Sequence, residues 1–275
     1  MTFFRQDFFQ FYFLLILYFT ASSPLLAQED IYQWSNKKDI PLLGIGAAGT
    51  ATSLLMRAQN TPLDLGEIND LNTDQIMRLD EHTNENYSLP LQNASDILLY
   101  TSYAFPLSTL LIPEARQDVG MIALMLTEGV LVNEMLTGIT KNLVNRPRPF
   151  TYNTNLSDEV RTEDGNNLSF FSGHTSYTAL LSFFSAQVLN TYVEKPLSRK
   201  MIWAGAILWP AATGYFRYAG GKHFITDVMV GYAVGAAIGY LIPKLHDTEQ
   251  ANKNPKGFYL DKEASQPFRL VFLIN

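Results

Sequence analysis

Cysteine is absent from all 275 residues. That absence excludes disulfides, a thiol nucleophile, a thiolate-held zinc and a lipid-modified N-terminal cysteine. Charge is scarce as well: 17% of residues are Asp, Glu, Lys or Arg, and 20 basic against 26 acidic side chains leave a net charge of −6. A chain with so little positive charge has no electrostatic footprint for nucleic acid, so an anionic ligand has to be met by a few local cations. Histidine occurs at only four positions, and neither an internal repeat nor a low-complexity tract is visible. What fills the chain instead is hydrophobic residues, 47% of the total, with a mean hydropathy near zero. This balance suits one compact domain with an unusually apolar helical body.

The apolar residues come in runs. At the start, Arg5 precedes "FFQFYFLLILYF", then "TASSPLLAQED", where Ala27 closes a small-residue stretch before acidic residues. Residues 1–27 thus read as a secretory signal peptide cleaved after Ala27, with an uncleaved anchor as the alternative. Residues 28–94 hold an apolar segment rich in small residues, "IPLLGIGAAGTATSLLM", and an acidic, Asn-rich stretch that reads as a surface loop with short helical pieces. Five further apolar runs follow at Ile97–Ile112, Val119–Thr140, Thr175–Val193, Met201–Phe216 and Val228–Leu245. Their length lies at the lower edge of what crosses a bilayer, about 17 to 25 residues. The expected fold is therefore all-α: a bundle of five or six apolar helices, membrane-embedded, with buried core helices as the alternative. The tail from 246 to 275 alternates weakly and is expected to form a small C-terminal β-hairpin.

Loop charge suggests a topology. The linker with Glu194, Lys195, Arg199 and Lys200 is positive on balance, whereas the loop from Asn153 to Asn167 is acidic. If the helices span, the first belongs in the cytoplasm and the second outside. With a cleaved signal, Pro41–Met56 then has no room to cross once and must be peripheral or re-entrant. In the last run, Gly231, Gly235 and Gly239 form a smooth stripe that another helix can approach closely.

Chemistry concentrates between the runs. Lys141 and Arg148 lie in "KNLVNRPRP", where prolines stiffen the chain after a helix. Ser172, Gly173 and His174 stand at the start of the next helix, and Arg217, His223 and Asp227 surround the start of the last, His223 and Asp227 four residues apart. Singly, each has an ordinary explanation: a lysine at a helix end snorkels, and a Ser-Gly pair caps. Together they offer guanidinium forks and an ammonium for phosphoryl oxygens, helix-start amides, and two imidazoles for nucleophilic and acid work.

As a set these residues resemble the three-part signature that joins type 2 phosphatidic acid phosphatases and vanadium haloperoxidases. Lysine, six residues, then Arg-Pro matches at Lys141, Arg148 and Pro149. Pro-Ser-Gly-His matches at Ser172, Gly173 and His174, with Phe171 in place of proline. Ser-Arg, five residues, His, three residues, Asp matches at Arg217, His223 and Asp227, with Phe216 in place of serine. The resemblance covers residues 95–245, a catalytic domain. It implies a metal-independent phosphatase without cofactor, in which His223 attacks phosphorus, Asp227 orients its ring and His174 protonates the leaving group. Lys141, Arg148, Ser172, Gly173 and Arg217 would bind phosphate. The expected substrate is a phosphate monoester or pyrophosphate of a membrane lipid: phosphatidate, phosphatidylglycerol phosphate, undecaprenyl pyrophosphate or lipid A. The expected location is a bacterial inner membrane with the site facing the periplasm. A soluble periplasmic acid phosphatase, a vanadate haloperoxidase and a non-catalytic phosphate-lipid-binding module are the alternatives. Glu128 and Glu134 read either as support for Lys141 or an arginine or as a water-facing stripe, and His82 and His246 as surface residues.

Overall fold

The computed structural model describes residues 31–248. Those residues form α-helices and short 3-10 turns, and the one β feature among them is an isolated antiparallel bridge between Tyr32 and Asp247. The expected all-α bundle is what the chain adopts. The signal at 1–27 and the hairpin expected beyond His246 lie outside the described residues.

Helix α1 covers Asp39–Gln59 and the short α2 covers Leu65–Asn69, the latter closed by a capping box between Asp64 and Glu67. Leu89–Ser102 forms α3, with a proline in its first turn. The expected run Ile97–Ile112 is not one helix. It starts earlier, at Leu89, and ends at Ser102, and Pro106, which has no N–H to continue the ladder, opens a separate 3-10 turn over Pro106–Leu111. Pro210, by contrast, stays inside its helix.

Four long helices make the body of the bundle: α4 over Val119–Val144, α6 over Gly173–Tyr192, α7 over Pro196–Ala219 and α8 over Ile225–His246, with the one-turn α5 at Asp158–Arg161. Asn145 ends α4 in the left-handed conformation (φ 50°), which Asn tolerates better than most side chains. Helix α6 is central, and its buried face is rich in small hydroxyl residues that bond back along the helix, as Ser182 does to Thr178 O (2.6 Å) and Ser185 to Leu181 O (2.7 Å). Around it Ile122, Met125, Leu180, Leu181, Phe184, Ile238 and Ile242 form the apolar core. The glycine stripe of α8 packs on α6: a Cβ at Gly231, Gly235 or Gly239 would run into the carbonyl oxygens of Ser172, Ser176 or Leu180.

Helices α1, α8 and the one beginning at Val119 are long and apolar enough to cross a membrane. The segment expected to be peripheral or re-entrant is thus part of a 21-residue helix of spanning length. It packs lengthwise on α4, where a Cβ on Gly46 would come within 2.9 Å of Leu131 Cβ. Large apolar side chains such as Ile45, Leu54, Leu55, Leu208 and Met229 project outward from the bundle. The helix directions bring the end of α4, the start of α6, the end of α7 and the start of α8 to one end of the bundle. The start of α1, the α6–α7 linker and the end of α8 lie at the other.

Candidate active site

The first of these ends gathers every residue singled out in the three motifs. Lys141, in the last turn of α4, donates from Nζ to Leu168 O (2.7 Å) and Ser169 O (3.4 Å). The chain beyond it is held by two backbone bonds, Arg148 N to Asn166 O (2.7 Å) and Ser169 N to Arg146 O (3.0 Å). This folds the loop back on itself and aims Arg148 inward. Arg148 then donates from Nε to Gly165 O (2.8 Å) and from Nη1 to Lys222 O (2.8 Å), and Nη1 lies 3.3 Å from His223 Nε2.

That last contact assigns the ring. A guanidinium can only donate, so Nε2 of His223 accepts and carries the lone pair, while Nδ1 carries the proton. Nδ1 faces Asp227 Oδ2 at 3.6 Å, beyond hydrogen-bond length, and has no hydrogen-bond partner among the described residues. The Asp227 carboxylate is fully buried and pinned by other donors: Arg146 Nη1 (2.6 Å) on Oδ1, and Ser169 Oγ (2.5 Å) and the Phe224 N–H (2.9 Å) on Oδ2. Burial holds His223 well below the ordinary histidine pKa, and the charges of Arg148, Lys141 and Arg217 press it further down. At neutral pH the ring is therefore an uncharged base among cations.

Across the site, His174 Nε2 lies 2.8 Å from Asp96 Oδ1, and the same oxygen is 3.4 Å from Arg217 Nη1. Arg217 also donates to Ser95 Oγ (3.2 Å), and its buried Nε has no hydrogen-bond partner among the described residues. Burial works against ionisation of Asp96, but His174, Arg217 and Lys222 outweigh it and lower the carboxyl's pKa. Ser172 is the cap of α6: its hydroxyl accepts from Thr175 N (3.4 Å) and shares a hydrogen bond with Thr175 Oγ1 (2.9 Å). It is less an open donor than the residue that orients the helix start, where the Gly173 amide has no intrahelical acceptor by position.

Sequence reasoning missed several residues here. Arg146 spans Asp227 and the buried Asp80 (2.8 Å) and stacks 4.0 Å over the Phe224 ring. Asp80 also accepts from the Thr226 N–H (3.0 Å) and hydroxyl (2.6 Å), which fixes the first turn of α8. Lys222 pairs with Glu163 and lies 4.7 Å over the Phe150 ring; burial lowers its pKa although Glu163 opposes the shift. Asp80, Ser95 and Asp96 come from the stretch read as a surface loop and its margin, which in the folded chain supplies carboxylates to the site.

Two expectations are corrected. Glu128 is fully buried beside Asp39 and His246 at the other end, so it neither supports Lys141 nor faces water, and the half-buried Glu134 accepts from the Tyr177 hydroxyl (2.5 Å). His246 is a core residue, not a surface one, because Asp39, 207 positions earlier, folds against it.

Residues 122–251 match the family model described as the PAP2 superfamily. Phospholipid phosphatase 1 of Mus musculus is 29% identical over 136 residues, covering 42% of this chain and 48% of that protein. The chain thus spans about half the length of the curated relative it matches. Among solved structures, a transmembrane PAP2-type phosphatidylglycerolphosphate phosphatase from Bacillus subtilis aligns over 87% of this chain and 94% of its own, at 18% identity and a TM-score of 0.42. Residues 122–251, which hold all the residues of the three motifs, are thus a match to the PAP2 superfamily, the family the three motifs resemble.

Proposed function

We propose that the protein is a phosphatase that releases phosphate from a phosphomonoester or pyrophosphate of a membrane lipid through a phosphohistidine. The observation that carries this reading is the His223 ring: uncharged, with its Nε2 lone pair turned toward Arg148 in a pocket that also holds Lys141 and Arg217. Such a pocket attracts a phosphoryl group and keeps its nucleophile unprotonated.

In the proposed reaction Nε2 attacks phosphorus, and the bond from phosphorus to the leaving oxygen breaks as the new N–P bond forms. His174 gives its proton to that oxygen. Lys141, Arg148, Arg217 and the Gly173 amide carry the charge on the three equatorial oxygens. Asp227, held by Arg146, Ser169 and the Phe224 amide, faces the Nδ1–H side and stabilises the positive ring that forms. Water, losing a proton to His174, then breaks the N–P bond and frees phosphate. These side chains supply the charge stabilisation that a metal ion provides in other phosphatases.

The name of the mouse relative favours a lipid substrate, as do three helices of membrane-spanning length and the outward-facing apolar residues. We place the site on the periplasmic side of a bacterial inner membrane, with the positive α6–α7 linker in the cytoplasm. A phosphate-release panel on purified protein tests the reaction, with phosphatidate, phosphatidylglycerol phosphate, undecaprenyl pyrophosphate, lipid A and an aryl phosphate. Release within minutes in a chelator is expected from at least one lipid; release only after a divalent ion is added would refute the mechanism. Single cysteines near Asn155 and Ser198 test the placement, since the native chain has none. In spheroplasts a membrane-impermeant reagent should label only the first. Labelling of both, with release by osmotic shock, would mean a soluble periplasmic enzyme.

A further inference from the structure

At the end of the bundle away from the phosphate site, three helices bring together a second cluster that the proposed reaction does not use. Asp39 is the first residue of α1, Glu128 lies in α4 and His246 ends α8; all three are buried, and one ligand atom from each lies within 4.8 Å of the others. His246 Nδ1 lies 2.8 Å from Ile242 O, and a carbonyl can only accept, so Nδ1 holds a proton. In the neutral ring the Nε2 lone pair then points at Asp39 Oδ1, which it contacts, and at Glu128 Oε2, 3.4 Å away. Asp39 Oδ2 is occupied by the Ser35 N–H. Among the described residues, neither oxygen of Glu128, a side chain with no solvent exposure, accepts from an N–H or a hydroxyl.

Two carboxyl groups and an imidazole lone pair turned toward one point are three acceptors, and among the described residues the one donor the cluster can supply itself is a proton held between Asp39 and Glu128. With both carboxyls ionised, even a doubly protonated His246 leaves two negative charges against one positive in an apolar surround, so the empty cluster must hold a proton in place of one charge. The nearby Lys38 ammonium is bonded to Leu245 O at the exposed margin. A divalent cation resolves all of this: its charge cancels both carboxylates and its empty orbitals take the three lone pairs. The outer contacts are those of metal ligands, an imidazole N–H on a backbone carbonyl and a carboxylate steadied by an amide. The 3.4 Å between His246 Nε2 and Glu128 Oε2 matches the separation of two ligands on a tetrahedral zinc, about 3.3 Å for bonds of about 2.0 Å. Asp39 and His246 sit closer and would part to admit an ion at such bond lengths.

We propose that Asp39, Glu128 and His246 form a structural site for a divalent transition-metal ion, with zinc favoured by one nitrogen and two carboxylate donors. Glu128 and His246 fall within residues 122–251, which match the family model, whereas Asp39 precedes them. The ion therefore fastens α1 onto the α4–α8 pair. The length of α8 separates it from His223 and keeps it out of the proposed reaction.

The test uses the full chain purified in detergent. Elemental analysis should find about one equivalent of zinc or a similar ion per chain after gel filtration. Prolonged chelation should remove it and lower the melting temperature by about 5 °C, with recovery on adding zinc chloride but not magnesium chloride. Cobalt chloride added to the stripped protein should give the visible absorption of a low-symmetry nitrogen and oxygen site, a readout that needs no variant. E128Q should retain phosphate release while losing the metal and the zinc response. The proposal is overturned if the parent carries no transition metal and neither zinc nor cobalt shifts its melting. It is equally overturned if the melting temperature ignores metals but rises as pH falls, which would mean that a proton shared by the carboxylates holds the cluster. Binding that survives intact in E128Q would place the ion elsewhere and also refute it.

Discussion

His223 and His246 flank the two ends of α8, each 1% exposed, and their surroundings are opposite. His223 lies among Arg148, Lys141 and Arg217, with one carboxylate that other donors already hold. His246 lies among carboxyl groups, one of which accepts from no N–H or hydroxyl among the described residues. In both, the contacts of one ring nitrogen leave Nε2 as the lone-pair atom. The difference teaches that burial alone does not tell what a histidine awaits. A neutral imidazole ringed by cations is matched to an anion, and one ringed by carboxylates to a cation. The ring is the same, and the sign of its neighbours decides.

Several changes should break or sharpen this contrast. The largest effect is expected from His223→Ala, which should cut turnover at least about a thousandfold, whereas His174→Ala should harm alkyl phosphates more than aryl ones because, in the proposed reaction, the proton it gives matters most to a poor leaving group. Equal damage to both substrate classes by the second change would contradict that role. Next comes Arg146→Ala. It leaves the carboxylates of Asp80 and Asp227 buried with one donor fewer each, and should lower stability by about 3 kcal/mol in denaturant melts. Asp96→Asn keeps the shape but removes the charge facing His174 and Arg217; a loss of about tenfold in kcat/KM is expected, again larger for alkyl leaving groups.

The smallest effect is a displacement of the pH profile. Burial and the surrounding cations depress the pKa of His223, so the acid limb of kcat/KM should lie below the ordinary histidine value of about 6.5. Arg148→Gln removes an adjacent positive charge, eases protonation of the ring and should move that limb to higher pH. For folding the sign is related: as pH falls, the unfolded chain takes up this proton first, so stability declines from the unfolded value down toward the folded one. An acid limb that stays in place in Arg148→Gln would separate the limb from His223.

The motif residues were legible in the sequence because their spacing is local: four residues join His223 to Asp227 and six separate Lys141 from Arg148. The helices at Val119, Gly173 and Ile225 were legible from apolar runs and start within two or three residues of the expected positions. What stayed hidden was set at long range. Asp96 meets His174 across 78 positions and Arg146 meets Asp80 across 66, and both aspartates sit in or beside a polar stretch with no pattern to mark them. His246 was misread because a histidine at a helix C-terminus ordinarily faces solvent and the helix dipole. Its partners stand in helices α1 and α4. The break at Ser102 was obscured because a continuous apolar run outweighs one proline when composition alone is read.

The placement of both histidines about α8 also has a meaning in time. Helices leave the ribosome in order, so α1 waits about 60 residues for the α4 against which it packs, and α4 waits longer still for α8. Until α8 docks its glycine face on α6, the growing chain has its Lys141, Arg148 and Arg217 but neither His223 nor Asp227 beside them, and it has Asp39 and Glu128 without His246. A chain that stops between Arg217 and α8 would have the cations without the proposed nucleophile, and two acids without the imidazole beside them. One docking event closes both ends of the bundle together, so competence and completeness arrive in the same step.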